Sequence, residues 1–487
     1  MMEETLRLQF GTAATTIGTQ WLALCSDNQR DARLNRLDGK PRMLAFEAKD
    51  RVQRRRTLPS KRPRVAELQQ QAAWTGGVQL YDQSAQDAST GGGGGGGDAG
   101  LWSWASCDAS HLVEVSEFRA HMALHNVFEG GAGGSVARAT FDAAEERLRG
   151  ELEACDRLRL VQSLVDMDSS WGGFAHEVLS YVADECPSAV VATFGTDWAY
   201  PLADDTTRDV AVVRDNAKVA ARRRLNLAAS LSLLAEVSTL LVPVALALPP
   251  TRFRHLRGLD RRSCAEVGSV AATAIELALA AHRPPRSVYE LVAGLPPSMK
   301  VAELAASFPF AGDPVALLSR LANATEVAPA GDVLEEQFSL LPAATPAAAG
   351  RRGGHGDYDD DDEGEEDDGA DRVFYRRLHL YGTFASASSL ADAIDRVHSA
   401  SCVAQWTPTA LQLPASYRVA SLAGRSVDAI SQLSTSSRVG RYLRHTARGV
   451  ERVDKRVLFE FTRAGMSPDA LDDMAAALGA LGDAYFP

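Results

Sequence analysis

The sequence predicts an α/β fold in which helices cover both faces of a mostly parallel sheet. Short apolar runs alternate with longer segments of helical period through the first 250 residues, an arrangement typical of parallel sheets. A turn of small residues directly follows the first apolar run, as where a strand leads into a helix. The segment over residues 264–281 is apolar nearly all round, which indicates a buried helix.

Each element is predicted from its local pattern. The strands, which are apolar runs bounded by turn residues, are predicted over residues 5–10, 42–46, 158–165 and 189–194. Residues 11–18 are predicted as a small-residue turn, and the helices are predicted over 16–25, 114–124, 140–153 and 174–183. A strand within residues 373–386 and helices over 388–398 and 467–485 predict a smaller α/β module near the end of the chain.

One apolar stretch, residues 225–250, approaches the length that a transmembrane helix requires. Glu236 interrupts it, and an acidic side chain in the middle of a span is unfavourable by a few kcal/mol. We therefore predict a buried helix that ends near Glu236, followed by a strand.

Two segments have compositions that do not support a core. Residues 49–106 contain a basic tract and seven consecutive glycines, and residues 343–371 contain an acidic run, Asp357 to Asp368 (DYDDDDEGEEDD), with ten carboxylates. Neither segment has enough apolar surface to offset its ordering entropy, so we predict a disordered insertion and a solvated acidic loop. Because the acidic run supplies most of the net charge of −12, the rest of the charge indicates no class of partner, and we expect no nucleic acid.

The usual signatures of catalysis and import are missing from the sequence. No GxxxxGK[ST], GxSxG, HExxH or EF-hand pattern occurs, and we predict no metal site. The opening MMEETLRLQFG carries acid instead of a basic stretch, so no cleavable targeting peptide is predicted. Six scattered cysteines without zinc-type spacing indicate reduced thiols in a cytosolic compartment.

Two patterns suggest binding sites. The stretch DMDSSWGGF, residues 166–174, resembles a phosphate-binding turn in which Trp171 and Phe174 stand where backbone would have to approach phosphate. Near the end of the chain, basic residues recur every three to four positions, which on a helix forms a basic stripe. This stripe could contact anionic lipid headgroups, an acidic partner or the chain's own acidic run, or it could be a solvated helix face. Its members are Arg438, Arg441, Arg444, Arg448, Arg452 and Lys455.

Several segments, taken in order, resemble one family. LRLQFGTAATTIGTQW resembles the opening strand and first nucleotide loop of tubulins, and ELEACDRLRLVQSLVDMDSSWGGFAHEVLSYVADECPSAVVATFG resembles the tubulin segment around its Gly-rich signature loop. The departures from tubulin, together with SMKVAELAASFPF and LHLYGTFASASSLADAIDRVHSA, are similar to the Misato family of tubulin-related proteins.

The resemblance implies a tubulin/FtsZ-like fold: a Rossmann-like N-terminal domain, a central helix and a second, smaller α/β domain. The first domain is expected over residues 1–48 and 107–262, separated by the insertion at 49–106. The central helix and the start of the second domain are expected over 263–342, the acidic loop over 343–371, and a C-terminal α/β module over 372–487.

The same resemblance assigns residues to a degraded nucleotide site. In the signature loop GGGTGSG the matching residues are 168–174, and Gly172 is the one glycine that remains in place. Lys49 falls where tubulins have an acid that supports magnesium, and residues 285–287 lack the groups that complete hydrolysis, so no cofactor is expected. If GTP were retained, it would be held by Gly11, Thr12, Gly131, Gly133, Gly172, Gly173 and Asn226.

The function implied is that of a non-catalytic tubulin-like protein in mitochondrial distribution, morphology and inheritance. Its expected location is the cytosol and the outer mitochondrial surface. Protein partners would be mitochondrial surface proteins or the chaperonin and prefoldin machinery that folds tubulin, with peripheral contact to anionic membrane through the basic stripe. The alternatives are a GTP-binding GTPase that polymerises and a partner of that folding machinery.

Overall fold

The structure is a computed structural model of the chain. It describes residues 4–27, 41–48, 111–115, 138–198, 210–280, 287–323, 337–342, 371–384, 387–399, 401–453 and 468–486. The predicted insertion at residues 49–106 and nearly all of the predicted acidic loop lie outside these ranges.

Six parallel strands form the first sheet, in the order β3-β2-β1-β4-β5-β6. Both faces of the sheet are covered, which explains why its strands are nearly continuous apolar runs. The order is that of a Rossmann-like domain, so this part of the predicted fold is confirmed. The strands are β1 Glu4–Phe10, β2 Met43–Ala48, β3 Leu112–Val115, β4 Leu158–Asp166, β5 Val190–Asp197 and β6 Leu240–Ala245.

Four helices accompany this sheet, and two differ from prediction at their start. α1 (Thr12–Asp27) begins directly after Gly11, so the predicted turn over residues 11–18 is wrong beyond that glycine. α3 (Trp171–Glu185) begins three residues earlier than predicted. The predicted helix over 114–124 is also wrong at its start, because β3 runs to Val115, and its remainder lies outside the described residues. The predicted helix over 140–153 is confirmed as α2 (Arg138–Glu153).

The long apolar stretch is a helix followed by a strand, as predicted. α4 (Val210–Val237) ends one residue after Glu236, and β6 begins at Leu240 as the last strand of the sheet, with every residue buried. Within the described ranges, no helix is both long enough and apolar enough to cross a bilayer.

The central helix is α5 (Cys264–Ala280), and its burial confirms the prediction. Every residue from Val267 to Leu279 is buried. One core cluster joins α5 to α1 and the first sheet, and it also contains Leu304 and Leu433 of the second sheet. The helix therefore lies between the two sheets, which explains why no polar face is visible in its sequence.

A mixed sheet forms the second domain, in the order β7-β12-β8-β9. Only its β8–β9 pair is parallel. Helices α6 (Pro314–Asn323) and α7 (Ala387–Val397) share a separate core cluster with one face of this sheet. The strands are β7 Glu303–Ser307, β8 Val373–Tyr381, β9 Cys402–Thr407 and β12 Ala429–Ser436, and β10 Leu411–Gln412 pairs with β11 Ser426–Val427 as a separate ribbon.

The last two helices return to the first domain. α8 (Ser437–Glu451) and α9 (Pro468–Asp483) pack on each other and on α4. Their apolar residues, including Tyr442 and Leu478, join the core cluster that also contains α3 and α4. This arrangement places the predicted basic stripe beside the first sheet.

Candidate functional site

The carboxyl ends of the parallel strands form the edge where a nucleotide is expected. Ligands of open parallel sheets bind outside this edge, beside the strands where the order reverses. Here β1 leads through Gly11 into α1, and its neighbour β4 ends at Asp166. β2 and β5 carry Glu47 and Asp197 at the same edge. The edge is thus lined with carboxylates.

The carboxylate of Asp166 occupies the N-terminus of α1. The backbone N–H of Ala13 donates to its Oδ2 at 3.0 Å, and the N–H of Ala14 donates to its Oδ1 at 2.7 Å. The hydroxyl of Thr196 also donates to Oδ1, at 2.9 Å. Exposed N–H groups and the helix dipole make such a terminus an anion site, and here the anion is the chain's own side chain.

Gly11 leaves room for the carboxylate of Asp166 at the N-terminus of α1. Its φ is +98°, a conformation that L side chains rarely adopt. A Cβ at this position would lie 2.4 Å from Asp166 Oδ2 and 2.6 Å from Trp171 Cδ1. The glycine that sequence comparison assigned to a nucleotide therefore accommodates a carboxylate and an indole.

Thr12 is also occupied, by a second carboxylate. Its hydroxyl donates to Glu47 Oε1 at 3.1 Å, and the hydroxyl of Thr15 donates to Glu47 Oε2 at 3.2 Å. Glu47 is only 1% exposed. Sequence reasoning assigned no role to Glu47, Asp166 or Thr15 and considered Lys49, which lies outside the described residues. An acid at the end of an apolar strand is the sequence signal that could have identified Glu47 and Asp166.

The signature loop satisfies its own backbone. The N–H of Trp171 donates to Ser169 Oγ at 3.4 Å, and the N–H of Gly172 donates to the carbonyl of Ser169 at 3.4 Å. The N–H of Phe174 donates to the carbonyl of Ser170 at 3.3 Å. Amides that would have to face a phosphate thus already have acceptors within the loop.

Gly172 has a packing role. A Cβ there would lie 1.9 Å from the hydroxyl oxygen of Ser230 on α4. That hydroxyl donates to the carbonyl of Met167 at 2.8 Å. Gly172 therefore lets α3 approach α4 closely, and Gly173, which follows it in α3, is buried as well.

We expect Gly172→Ala to lower the free energy of unfolding by about 1–2 kcal/mol, because the added methyl group overpacks the contact with Ser230. Urea unfolding followed by far-ultraviolet circular dichroism measures the change. Gly479→Ala on α9 is the matched control, since a Cβ there meets nothing within 4 Å and alanine favours a helix by up to about 1 kcal/mol. Equal stability of the two variants would contradict the packing role.

The two aromatic rings of the loop contact each other edge to face, with centroids 5.8 Å apart, and both belong to the core cluster of the first sheet. Trp171 lies against Gly11 and is 6% exposed. The ring of Phe174 lies in the core, with ring centroids 4.8 Å from Phe141 and 5.5 Å from Phe46. The hypothesis that both rings fill the space of a phosphate is therefore wrong for Phe174, which lies one helical turn inside α3.

Asn226 lies beneath the signature loop. Its side chain is fully buried, and its Nδ2 donates to the carbonyl of Asp168 at 3.5 Å. Among the described residues its Oδ1 has no hydrogen-bond partner. This side chain holds the loop from inside and is not open to a base from solvent.

Three carboxyl groups share this edge with raised pKa values. Burial raises the pKa of Asp166 to about 6, although the amides of Ala13 and Ala14 favour its ionised form. Burial also raises the pKa of Asp197 to about 6, against the opposing charge of Arg223. For Asp168, burial followed by the charges of Asp197 and Asp166 raises the pKa well above its usual value. The ionised groups would repel a phosphate at this edge.

The structure places Gly11 and Thr12 beside the carboxylates of Asp166 and Glu47, Gly172 and Gly173 in the first turn of α3, and Asn226 beneath the signature loop. Gly131, Gly133 and Lys455 lie outside the described residues. The remaining predicted residues belong to the basic stripe.

The basic stripe is divided between two environments. Arg438 pairs with the buried Glu303 at 3.4 Å, and Arg441 pairs with Asp371. Arg444 pairs with Asp483 at 2.8 Å and lies 3.8 Å from the ring centroid of Phe486. The stripe is therefore not one continuous docking face, since its first half stabilises the position of α8 within the chain. Its second half, Arg448 and Arg452, is exposed.

Comparison with known proteins identifies the fold. The family described as a tubulin domain matches residues 135–283. Protein DML1 of Gibberella zeae is 32% identical over 137 residues, which are 28% of this chain and 25% of that protein. Protein dml1 of Schizosaccharomyces pombe is 35% identical over 76 residues, which are 16% of each chain. Protein DML1 of Coccidioides immitis is 28% identical over 135 residues, which are 28% of this chain and 23% of that protein.

The similar segments thus span a quarter or less of the length of these relatives. The matched tubulin domain covers α3, α4 and the central helix α5, which position the carboxylate-lined edge. The parallel sheet, central helix and second mixed sheet together form a tubulin/FtsZ-like α/β fold. The matched tubulin domain and the three relatives together support a Misato/DML1 tubulin-like protein.

Proposed function

We propose that this chain is a non-catalytic tubulin-like protein that acts in the distribution, morphology and inheritance of mitochondria. The observation that carries the non-catalytic part is the carboxylate of Asp166 on the amides of Ala13 and Ala14. A phosphate at this helix terminus would have to displace a buried side chain that already accepts both hydrogen bonds. The carboxylate of Asp197, whose pKa of about 6 leaves it ionised at neutral pH, adds repulsion.

The groups that hydrolysis requires also have structural partners. A phosphoryl-transfer site positions a water molecule and supplies positive charge to the phosphates. Here Glu47 accepts hydrogen bonds from Thr12 and Thr15 within the fold. Ser287, at the position matched to the hydrolytic loop of tubulins, accepts the N–H of Tyr289 at 3.3 Å as a helix cap.

The mitochondrial part of the proposal rests on the family resemblance. Because the chain's own carboxylates fill the nucleotide edge of the first sheet, the fold acts as a scaffold for protein contacts, in the cytosol or on the outer mitochondrial surface. The partners proposed are mitochondrial surface proteins. A chaperonin or prefoldin partner is the alternative that affinity capture distinguishes, since those subunits would then dominate the captured proteins.

Nucleotide content tests the non-catalytic part. The purified full-length chain is denatured, and the released nucleotide is quantified by anion-exchange chromatography beside a tubulin preparation. We expect less than about one tenth of an equivalent of GTP plus GDP per chain, because the anion position of α1 is filled. One equivalent of guanine nucleotide would contradict the proposal and favour the polymerising GTPase.

Imaging tests the mitochondrial part separately. The chain is depleted from cells of its source, and the mitochondrial network is imaged together with a tagged copy. We expect a fragmented or unevenly distributed network that the tagged copy restores. An unchanged network would contradict the mitochondrial role and leave the closed edge unaffected.

A further inference from the structure

A second basic feature lies where α4 touches α8. Arg224 of α4 is exposed, as are His445 and Arg448 of α8 and Arg452, which caps that helix. A Cβ on Gly449 would lie 3.0 Å from Arg224 Cδ, so the two helices meet at this point. Partial burial lowers the pKa of His445, and so do the charges of Arg224, Arg452 and Arg448. We call these four residues the basic patch.

The basic patch differs from the first half of the same helix. Arg438, Arg441 and Arg444 each pair with a carboxylate of the chain. In the part of the chain that the structure describes, no carboxylate pairs with Arg224 or Arg448. Like charges held this close repel one another, and they favour an anionic occupant.

Asp371 indicates which anionic segment lies close to the basic patch. It pairs with Arg441 and lies 4.0 Å from Arg438, so the chain starts the second domain beside the first turns of α8. Asp371 follows the acidic run, Asp357 to Asp368, by three residues. The run itself lies outside the described residues, but Asp371, three residues beyond its end, is held at the start of the α8 face.

The spacing of the arginines along α8 matches the length of chain between Asp371 and the acidic run. Arg441, Arg448 and Arg452 are separated by seven and four residues, which places them on one face of an α-helix. Arg448 lies about 10 Å and Arg452 about 16 Å beyond Arg441 along the axis. Three extended residues span about 10 Å, which equals the distance along the axis from Arg441 to Arg448 and puts Arg448 within reach of the end of the acidic run.

We propose that the acidic run, Asp357 to Asp368, docks on the basic patch of its own chain. Ten carboxylates face four basic groups, and the tether gives the run a local concentration in the millimolar range. A membrane or an acidic partner protein would have to displace it. This docking goes beyond the proposed function and does not depend on whether the chain binds a nucleotide.

Zero-length crosslinking of the full chain tests the docking. Arg448→Lys keeps the charge and adds an amine, which a carbodiimide links to a carboxylate in contact with it. Arg396→Lys on α7, another exposed helical position, is the matched control. We expect peptide mapping to link Lys at position 448 to the acidic run at least ten times more often than Lys at position 396. The yield should not change with protein concentration and should fall at least fivefold in 0.5 M salt, because the contact is electrostatic.

A second measurement uses a peptide with the sequence of residues 355–370, added to chains that keep or lack the run's charges. With the ten acids changed to Asn or Gln, we expect the chain to bind the peptide at least ten times more tightly than wild type. Adding Arg224→Glu and Arg448→Glu should abolish that binding. Equal affinity for both chains, or no crosslink at position 448, would overturn the proposal. Anionic vesicles bound by wild type without any such crosslink would also overturn it, and would assign the patch to a membrane.

Discussion

Replacing Phe174 by alanine is expected to lower the free energy of unfolding by about 3–5 kcal/mol. The ring is 3% exposed, and rings of Phe10, Phe46 and Phe141 surround it, with centroids at 6.1, 5.5 and 4.8 Å. Truncation removes this packing and leaves a cavity between α3, α2 and the first sheet. Urea or guanidinium unfolding at pH 7 measures the loss.

Phe174→Leu provides the matched comparison. It keeps most of the apolar volume, so the expected loss is about 1–2 kcal/mol. A loss below 1 kcal/mol for Phe174→Ala would place the ring outside the core. That result would restore the earlier interpretation, in which this side chain occupies the space of a phosphate.

The position of Phe174 could not be predicted from the sequence, because it depends on the residue at which α3 begins. The pattern DMDSSWGGF resembles a tubulin loop, and it predicts Trp171 within the loop and Phe174 at the first position of the helix. The helix begins at Trp171. Phe174 therefore lies one turn inside α3, where a side chain points to the sheet. A boundary error of three residues was enough to change the role of the ring.

The strands and the central helix could be predicted because their causes are local. Apolar period and length identify β1, β4 and the buried α5 from the sequence alone. The cap of α1 could not be predicted in this way, since Asp166 is 152 residues from Ala14. Only the pairing of β1 with β4 brings that carboxylate to the helix.

The basic stripe illustrates the same limit. Helical period correctly places Arg438, Arg441, Arg444 and Arg448 on α8, whereas Arg452 caps that helix and Lys455 lies outside the described residues. It did not predict that Glu303, Asp371 and Asp483 approach the first half of that stripe. These acids belong to three distant segments of the chain, so the remaining exposed charge could be located only in the folded structure.

Asp166→Asn is expected to change how stability depends on pH. Burial raises the pKa of Asp166 from 3.8 to about 6 in the folded chain, so the folded state binds a proton more tightly than the unfolded state between these values. Stability from this group is therefore greatest at low pH and falls as pH rises through the folded pKa. Linkage gives a loss of about 2 kcal/mol between pH 4.5 and 7.

Asparagine lacks this titration and, like the protonated Asp166 of wild type at pH 4.5, offers one carbonyl oxygen to the amides of Ala13 and Ala14. We therefore expect Asp166→Asn to be close to wild type in stability at pH 4.5 and to gain about 2 kcal/mol relative to it by pH 7. Urea unfolding at intervals of half a pH unit measures this difference. Asp184→Asn, an exposed position on α3, should give a difference from wild type that is flat over the same range. A flat difference for Asp166→Asn as well would mean that the carboxylate is solvated, and the anion position of α1 would then be open.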